Sequence, residues 1–416
     1  MPYFSIFTPT HNPKYLLRAA ESLAAQTFKD FEWVILPNGN AALPELHKLP
    51  NCKIVQSKEP DSKKIGLFKR ECCNAATGHV LVEFDHDDEL TPDCLQELHA
   101  AFSNDSDLDF AYSNDADLDK DFKPFTYSKT YGWDERPFEY KGETIKEQLS
   151  FPPSAASFSR IWYAPNHVRA WKRSFYQTVG GHDTSMEVLD DQDLLARTYI
   201  HGKVQLINKC LYVYYRHPDN TCYGEKNKFI QTETLNLHDK YIYELAGKWA
   251  DLNGLMKIDL CGGISKPKGY KSIDLLNGDI THDLNERWPL EDGSVGVIRA
   301  HDALEHLKDP VHVMKEAFRV LKPMGWFLTL TPSTDGRGAF QDPTHISFWN
   351  SNSFWYYTRA ETARYINTPV RFQSVRVKNF FPNKYCEEHK IVYVKADLLR
   401  LPDKGSDIRV PGAIEI

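Results

Sequence analysis

The sequence predicts an α/β protein built as two domains in tandem, and three observations carry that expectation. Short β-rich runs alternate with amphipathic helical segments from Tyr3 to Tyr112, the pattern of βαβ units around a mostly parallel sheet. The same alternation starts afresh after Gly254. At 416 residues the chain is also longer than one hydrophobic core ordinarily organises. The expected domains are therefore residues 1–253 and 254–416.

Strands are expected at Tyr3–Thr8, Phe31–Leu36, Lys53–Gln56, Val80–Phe84 and Phe110–Tyr112, each short and rich in β-branched or aromatic residues. Helices are expected at Lys14–Ala25, where Leu16, Leu17, Ala20 and Leu23 line one face, and at Gly66–Ala76 and Pro92–Phe102. Ser113 to Ser159 carries Asp, Lys, Pro and aromatic residues without a clear period and reads as a long loop or irregular insertion. Regular structure returns with helices at Arg173–Val179 and Asp191–Ile200, β-rich segments at Val204–Ile207 and Leu211–Tyr215, and a helical stretch from Phe229 to Trp249. Beyond Gly254 the expected elements are strands Leu255–Leu260, Lys271–Asp274 and Val295–Ala300, a helix over Pro310–Leu321, and a strand at Phe327–Leu330. Ligands of such sheets lie beyond the carboxyl ends of the strands. A site is thus expected after Thr8, Leu36 and Phe84.

Composition bounds the function. A formal charge of -7 and a pI near 6.2 give no overall attraction to a phosphate backbone, which disfavours a non-specific nucleic-acid binder and leaves only a local basic groove for such a partner. The 8 cysteines lack metal-ligand spacing and read as reduced core thiols. The first residues show no basic region followed by an apolar run, and no stretch approaches a membrane span, Val204–Tyr215 being broken by Gln205, Asn208 and Lys209. A cytoplasmic protein without membrane insertion is expected.

Phe84-Asp85-His86-Asp87-Asp88 follows an apolar run, so carboxylates cluster at a strand end. Such a cluster suits Mg²⁺ or Mn²⁺, which take oxygen ligands and bridge phosphates. It equally suits an acidic turn capping the helix that starts at Thr91-Pro92. Its surroundings bear on the choice. Thr8-Pro9-Thr10-His11-Asn12-Pro13, Gly66 to Asn74, Gly78, the acid cluster, Gly180-Gly181-His182-Asp183 and Asp190-Asp191-Gln192-Asp193-Leu194 follow in an order that resembles family 2 glycosyltransferases of the GT-A fold, over roughly Pro2 to Asn220.

The resemblance implies an N-terminal nucleotide-diphospho-sugar transferase domain. On it, Thr8, Pro9, His11 and Asn12 line the nucleotide pocket, Asp85 touches the ribose and metal region, and Asp87 and Asp88 face the metal. His217, within Tyr214-Tyr215-Arg216-His217-Pro218-Asp219-Asn220, resembles a histidine that completes the metal or diphosphate contacts. Gly181 sits in the loop before the acceptor helix, and Asp191 matches the general base of an inverting transfer, with Asp190 and Asp193 as alternatives. As helix-start acids, all three also satisfy the helix dipole. Lys69 and Arg70 are candidates for phosphate oxygens, or are solvated helix charges. Trp162, Trp171 and Tyr163 are candidates for stacking on a sugar, or are core. Where relatives carry a base-reading Asp, this chain has Pro37-Asn38-Gly39-Asn40, so Asn38 takes that position and a UDP-sugar is an expectation from the family alone.

In the second domain, Ile258-Asp259-Leu260-Cys261-Gly262-Gly263 ends a strand in a glycine turn and Ser272-Ile273-Asp274 ends the next in a carboxylate, the way doubly wound folds hold an adenosyl ligand. With Asp283-Leu284-Asn285, Trp288 to Ser294, His301 to Leu307 and Leu321 to Trp326, this resembles a class I S-adenosylmethionine-dependent methyltransferase. The resemblance implies a Rossmann-like domain with Asp259, Gly262, Gly263, Asp274, Asp283 and His301 around S-adenosylmethionine. The glycine loop departs from the usual spacing, with Cys261 and Ile264 in part of it. Asp342-Pro343-Thr344-His345-Ile346 and the aromatics Phe348, Trp349, Phe354, Trp355, Tyr356 and Tyr357 are either an acceptor pocket with His345 as a base or core.

The function expected is metal-dependent sugar transfer from a nucleotide sugar to an acceptor hydroxyl on a glycan, a protein or a modified nucleobase, with methylation by the second domain as a further activity. Two other readings stand beside it: a protein that is chiefly a methyltransferase, and a non-catalytic acceptor-binding module, DNA included.

Overall fold

A computed structural model describes residues 1–39, 43, 51–119, 121–217, 220 and 226–412. Asn40, Pro218 and Asp219 of the motifs above lie outside the described residues. The chain divides into two compact units, Met1–Leu245 and Ala246–Ile416.

In the first unit the strands are β1 (Phe4–Thr10), β2 (Phe31–Pro37), β3 (Cys52–Ile54), β4 (Val80–Glu83), β5 (Glu89–Leu90), β6 (Phe110–Asp119), β7 (Pro124–Phe125), β8 (Glu135–Tyr140), β9 (Glu143–Gln148), β10 (Arg169–Lys172) and β11 (Val204–Arg216). The helices are α1 (Leu16–Ala24), α2 (Ile65–Ala75), α3 (Cys94–Asn104), α4 (Ala155–Phe158), α5 (Arg173–Thr178), α6 (Asp190–His201) and α7 (Lys226–Leu252), whose last turns belong to the second unit. The sheet runs β3-β2-β1-β4-β10-β6-β11-β5. β1 is parallel to both β2 and β4, while β10 is antiparallel to β4 and β6. Thr10 pairs with Pro37 and Phe7 with Glu83, so the ends of β1, β2 and β4 open on one edge. Arg169 at the start of β10 pairs with Glu83 and joins them there.

Every residue of β1 is buried. A strand enclosed on both faces by apolar neighbours needs no polar alternation. Phe4, Ile6, Leu16, Leu23, Trp33, Val82 and Leu98 lie in one core with α1 and α3 packed on it. The expected strands and helices before Tyr112 all form, within a few residues.

Ser113–Ser159 is not an irregular insertion. β6 continues to Asp119, β8 and β9 form a hairpin, and α4 follows. The acids that obscured the strand are given partners by distant residues: Arg216 donates to Asp117 Oδ2 at 2.8 and 2.6 Å, and Asn166 donates to Asp115 Oδ1 at 2.6 Å. The hairpin turns at Lys141 and Gly142, with φ of 51° and 84°, the two left-handed positions of a tight β-turn. Val204–Ile207 and Leu211–Tyr215 are one strand, split in the sequence pattern by register shifts around Cys210.

The second unit comprises β12 (Met256–Leu260), β13 (Lys271–Asp274), β14 (Ile280–Thr281), β15 (Val295–His301), α8 (Pro310–Val320), β16 (Leu321–Pro332), α9 (Gly338–Gln341), α10 (Trp355–Thr358), α11 (Ala360–Ala363), β17 (Phe372–Phe380), α12 (Lys384–Glu388) and β18 (Tyr393–Arg400). Its sheet order is β14-β13-β12-β15-β16-β18-β17, parallel up to β16 and antiparallel beyond it. α8 starts where Asp309 accepts from the Val311 and His312 amides, with Pro310 in its first turn, an N-cap that satisfies otherwise orphaned donors. Among the described residues the cysteines are free thiols, and no helix is long and apolar enough to cross a membrane.

Gly66 marks how tightly α2 meets the loop before α6. A Cβ there would stand 2.0 Å from the Asp183 carbonyl oxygen and 3.1 Å from Asp190 Cβ, and backbone cannot step aside cheaply. We expect Gly66→Ala to lower stability by about 1–3 kcal/mol through overpacking, despite alanine's helix propensity. An unchanged urea midpoint would refute this close approach.

Candidate functional site

Glu83, the last residue of β4, is almost fully buried and holds two cations. Lys69 Nζ of α2 lies 2.6 Å from its Oε1, and Arg169 Nη1 lies 3.5 Å from its Oε2. Each cation continues to the start of α6: Lys69 reaches Asp190 Oδ2 at 3.5 Å and Arg169 reaches Asp191 Oδ2 at 3.0 Å. Burial alone would raise the Glu83 carboxyl, but Lys69 and Arg169 outweigh it and hold it well below the carboxylate range.

The loop after β4 treats its carboxylates unequally. Asp88 turns inward, where the Tyr212 hydroxyl and the Tyr215 amide each donate to it at 2.8 Å; burial and then the neighbouring Asp87 and Asp85 push its pKa well up. Asp87 Oδ2 meets His217 Nε2 at 2.7 Å, and its carbonyl accepts from Arg18. Asp85 keeps 36% of its side chain exposed. Enclosure by the loop still lifts it to about 7, and repulsion from Glu83 and Asp87 adds to what Lys69 and Arg169 offset. Next to them, Glu89 accepts from Lys141 at 2.6 Å and from the Tyr140 hydroxyl, so the β8–β9 hairpin braces the acid loop. Among the described residues, Asp85, Asp87 and Asp88 do not bring three ligand atoms within 4.8 Å of one another.

At the start of α6 the acids again separate. Asp190 is buried against Lys69 and His182, and burial, with repulsion from Asp191 and Glu83, raises it to about 6. Asp193 is taken up by Arg197 at 2.6 Å, Tyr241 at 2.6 Å and Lys240 at 3.0 Å, which ties α6 to α7. Asp191 keeps 21% of its side chain open. Burial works against its charge, but Arg169 and Lys69 prevail and its pKa falls.

The remaining residues singled out in the first domain fall as follows. The Thr8 hydroxyl donates to the Phe84 carbonyl at 2.7 Å and accepts from Trp33 Nε1 at 2.9 Å, joining the ends of β1 and β4. Pro9 is buried in β1, His11 is exposed with its ring 5.2 Å from that of His86, Asn12 is half-buried, and the Asn38 amide donates to the Thr10 carbonyl at 2.9 Å. Lys69 lies inside the ion-pair network, and Arg70 Nε donates to the His182 carbonyl at 3.2 Å. Gly181 has φ of 58°, and a Cβ there would stand 2.5 Å from the Tyr176 ring, so the close neighbour that demands glycine is Tyr176. Trp171 is fully buried and belongs to the core.

Sequence reasoning passed over Glu83, Arg169, Glu89, Tyr212 and Tyr215. The signal for the first two was a lone charge inside an otherwise apolar strand, Val80–Phe84 and Val168–Trp171. The tyrosines carried none, since a buried tyrosine is ordinary core until its hydroxyl's partner is known.

In the second unit the chain turns through Cys261 and Gly263, with φ of 55° and 49°. A Cβ on Gly262 would stand 2.1 Å from Asp259 Oδ2, and one on Gly263 would stand 3.7 Å from Asp274 Oδ2. Asp259 Oδ1 accepts from Arg299 at 2.7 Å, while its Oδ2 is buried without a hydrogen-bond partner. His301 Nδ1 meets the same guanidinium at 2.8 Å, and burial followed by Arg299 depresses it to about 3. Asp283 is exposed and accepts from the Asn285 amide at 2.9 Å. The structure thus gathers Asp259, Gly262, Gly263 and Asp274 at one turn and sets Asp283 in a local turn of its own. Trp349, Phe354 and Tyr357 are core, whereas Phe348 and Tyr356 are exposed.

Comparison with known proteins finds a separate match in each unit. Residues 5–161 match the model of glycosyl transferase family 2, and residues 257–329 match a methyltransferase domain. The chain is 25% identical over 207 residues to an uncharacterized glycosyltransferase of Methanocaldococcus jannaschii, covering 46% of this chain and 69% of that protein. It is 39% identical over 86 residues to a probable S-adenosylmethionine-dependent methyltransferase of Mycolicibacterium smegmatis, covering 20% of this chain and 32% of that relative, about a third of its length. Among solved structures it is similar to S. aureus TarS 1-349 in complex with UDP-GlcNAc, with a TM-score of 0.44 and 15% identity over 60% of this chain and 71% of that one. The chain carries a family 2 glycosyltransferase domain followed by a methyltransferase domain.

Proposed function

We propose that the first unit performs an inverting, metal-assisted transfer of a sugar from a nucleotide-sugar donor to an acceptor hydroxyl, with Asp191 as the base. The observation that carries this reading is the Asp191 carboxylate. Of the acids at the start of α6 it alone combines open surface with a lowered pKa, so it stays ionised and reachable. It would take the hydroxyl proton as that oxygen attacks the anomeric carbon, and the bond to the diphosphate would break with its electron pair on the departing nucleotide. Attack opposite the leaving group inverts the configuration.

His11, Asn12 and Asn38, at the ends of β1 and β2, would line the nucleotide pocket, with the buried Thr8 and Pro9 supporting it from within β1. Asp85, Asp87 and His217 would hold Mn²⁺ or Mg²⁺, and a bound ion supplies charge neutralisation to the leaving diphosphate. Burial, with added repulsion from Glu83 and Asp87, raises the Asp85 pKa, and a divalent cation would favour its charged form. Asp88, with both oxygens engaged, supports the loop from behind. The donor screen begins with UDP-sugars on the family resemblance, and glycan, protein and modified-nucleobase acceptors form its arms.

We also propose that the second unit binds S-adenosylmethionine, which supplies a methyl group when bound. Asp274 would accept from the ribose hydroxyls, and Gly262 and Gly263 would let the chain pass close to the ligand. The orphaned Asp259 Oδ2 beside that turn supports a polar ligand there. We propose the domain boundary at residues 253 and 254, just past the end of α7, the last turns of which pack with the second unit.

Asp191→Asn should lower the rate of transfer by about 10²–10⁴, and chelation of divalent ions should abolish it; parental turnover by the variant would reject the base, and full activity after chelation would reject the metal. Arg169→Met removes the cation that favours the ionised Asp191, so its pKa rises and the acid limb of the pH–rate profile moves to higher pH. A limb that stays in place would show that Arg169 does not set the charge of the base. In calorimetric titration Asp274→Ala should weaken S-adenosylmethionine binding about tenfold or more, the worth of a charge-assisted hydrogen bond. Equal affinity in both proteins would reject that ribose contact.

A further inference from the structure

We propose that Glu305, His306 and His345 form a divalent transition-metal site in the second unit, separate from the acid loop of the first. One ligand atom from each of the three lies within 4.8 Å of the others. Glu305 and His306 occupy a short turn, Leu304–His306, just beyond β15, and His345 comes from the loop after α9. The site therefore stands beyond the carboxyl ends of β15 and β16, the edge where doubly wound sheets take ligands.

Glu305 is the buried member, with 2% of its surface exposed. Its Oε2 accepts from the Thr331 hydroxyl at 2.6 Å, while Oε1 is buried without a hydrogen-bond partner. An orphaned carboxylate oxygen is costly, and a metal ion would satisfy it. Both histidines are half-buried and are held through one ring nitrogen. His345 Nδ1 lies 3.1 Å from the Ala339 carbonyl and His306 Nδ1 lies 3.2 Å from the Thr344 carbonyl. Carbonyls only accept, so each Nδ1 carries the proton and each Nε2 keeps its lone pair. A backbone oxygen on the far nitrogen is the usual way a metal-ligating imidazole is oriented.

The two loops are joined independently of any ion. The amides of Ile346 and Ser347 donate to the Glu305 carbonyl at 2.8 and 3.0 Å, and the Ser347 hydroxyl donates to the Leu304 carbonyl at 2.7 Å. Asp342 accepts from the Thr344 amide at 2.8 Å and its hydroxyl at 2.7 Å, which shapes the turn leading into His345. The residues on either side of His345 are thus fixed against the Glu305 turn.

Two imidazoles and one carboxylate suit Zn²⁺, Fe²⁺, Co²⁺ or Mn²⁺ and leave coordination positions open. Both histidines are only half-buried, so water or a hydroxyl oxygen of an acceptor would reach the site from solvent. His345 is then a ligand rather than a free base.

The test uses the full chain, stripped with a chelator and titrated with Co²⁺ alone. A visible ligand-field band is expected, together with a rise in melting temperature. All titrations use the Asp87→Asn background, which removes a proposed ligand of the acid loop so that the signal reports the second unit alone; in it His345→Asn and, independently, His306→Asn should lose the band and bind cobalt at least tenfold more weakly. Should one histidine variant not fold, as judged by its own melting curve without metal, the other decides. The proposal is overturned if the Asp87→Asn protein shows no band or if either folded histidine variant in that background retains it.

Discussion

Glu83 lies between Lys69 and Arg169 with 1% of its surface exposed, and the rest of the first unit's site depends on that junction. Charges taken out of water repay their desolvation only when geometry is good and every member has partners. Here α2 supplies Lys69, β4 supplies Glu83, β10 supplies Arg169 and the first turn of α6 supplies Asp190 and Asp191. Moving any one of these elements would strand a buried charge. Since a buried ion pair contributes little net stability over an apolar pair of similar volume, its consequence is positional. The acid loop after β4 and the acids of α6 are set at a defined separation before any ligand arrives.

Around that junction, chemically identical side chains acquire different properties. Asp85, Asp87 and Asp88 are neighbours in sequence, yet one stays open, one meets His217, and one accepts from two tyrosine-borne donors. Asp190 and Asp191 are adjacent too, and their pKa values move in opposite directions because Asp190 is the more deeply buried while Asp191 receives Arg169. Pairs of acids pushed apart in this way separate an ionised group from one that holds its proton more readily.

The second unit repeats the arrangement with other chemistry. Its strands bury apolar bodies such as Ile258, Ile298 and Phe327, and polar residues collect where the strands end. The Cys261–Gly263 turn stands after β12, Asp274 closes β13, and Glu305 and His306 follow β15. Parallel strands bring their ends to one edge, so residues distant in sequence meet there without special loops. Glu305 and His345 meet for that reason, pinned by backbone hydrogen bonds between their loops.

Periodicity alone located most strands and helices, because a buried parallel strand must be apolar and a packed helix must show one apolar face, and both leave marks in the order of residues. The acid loop, the helix-start acids and the glycine turn were legible for a similar reason: their residue types are unusual at strand ends. The β6–β9 region was not, since Asp115 and Asp117 look unfit for a strand until Asn166 and Arg216 hydrogen-bond to them. Tertiary structure decided which carboxylate faces outward, that Gly181 makes room for Tyr176, that Lys69 serves an interior ion pair, and that Glu305 and two histidines share one place. Those outcomes depend on distances between segments far apart in the chain, and such distances are set by packing rather than by local pattern.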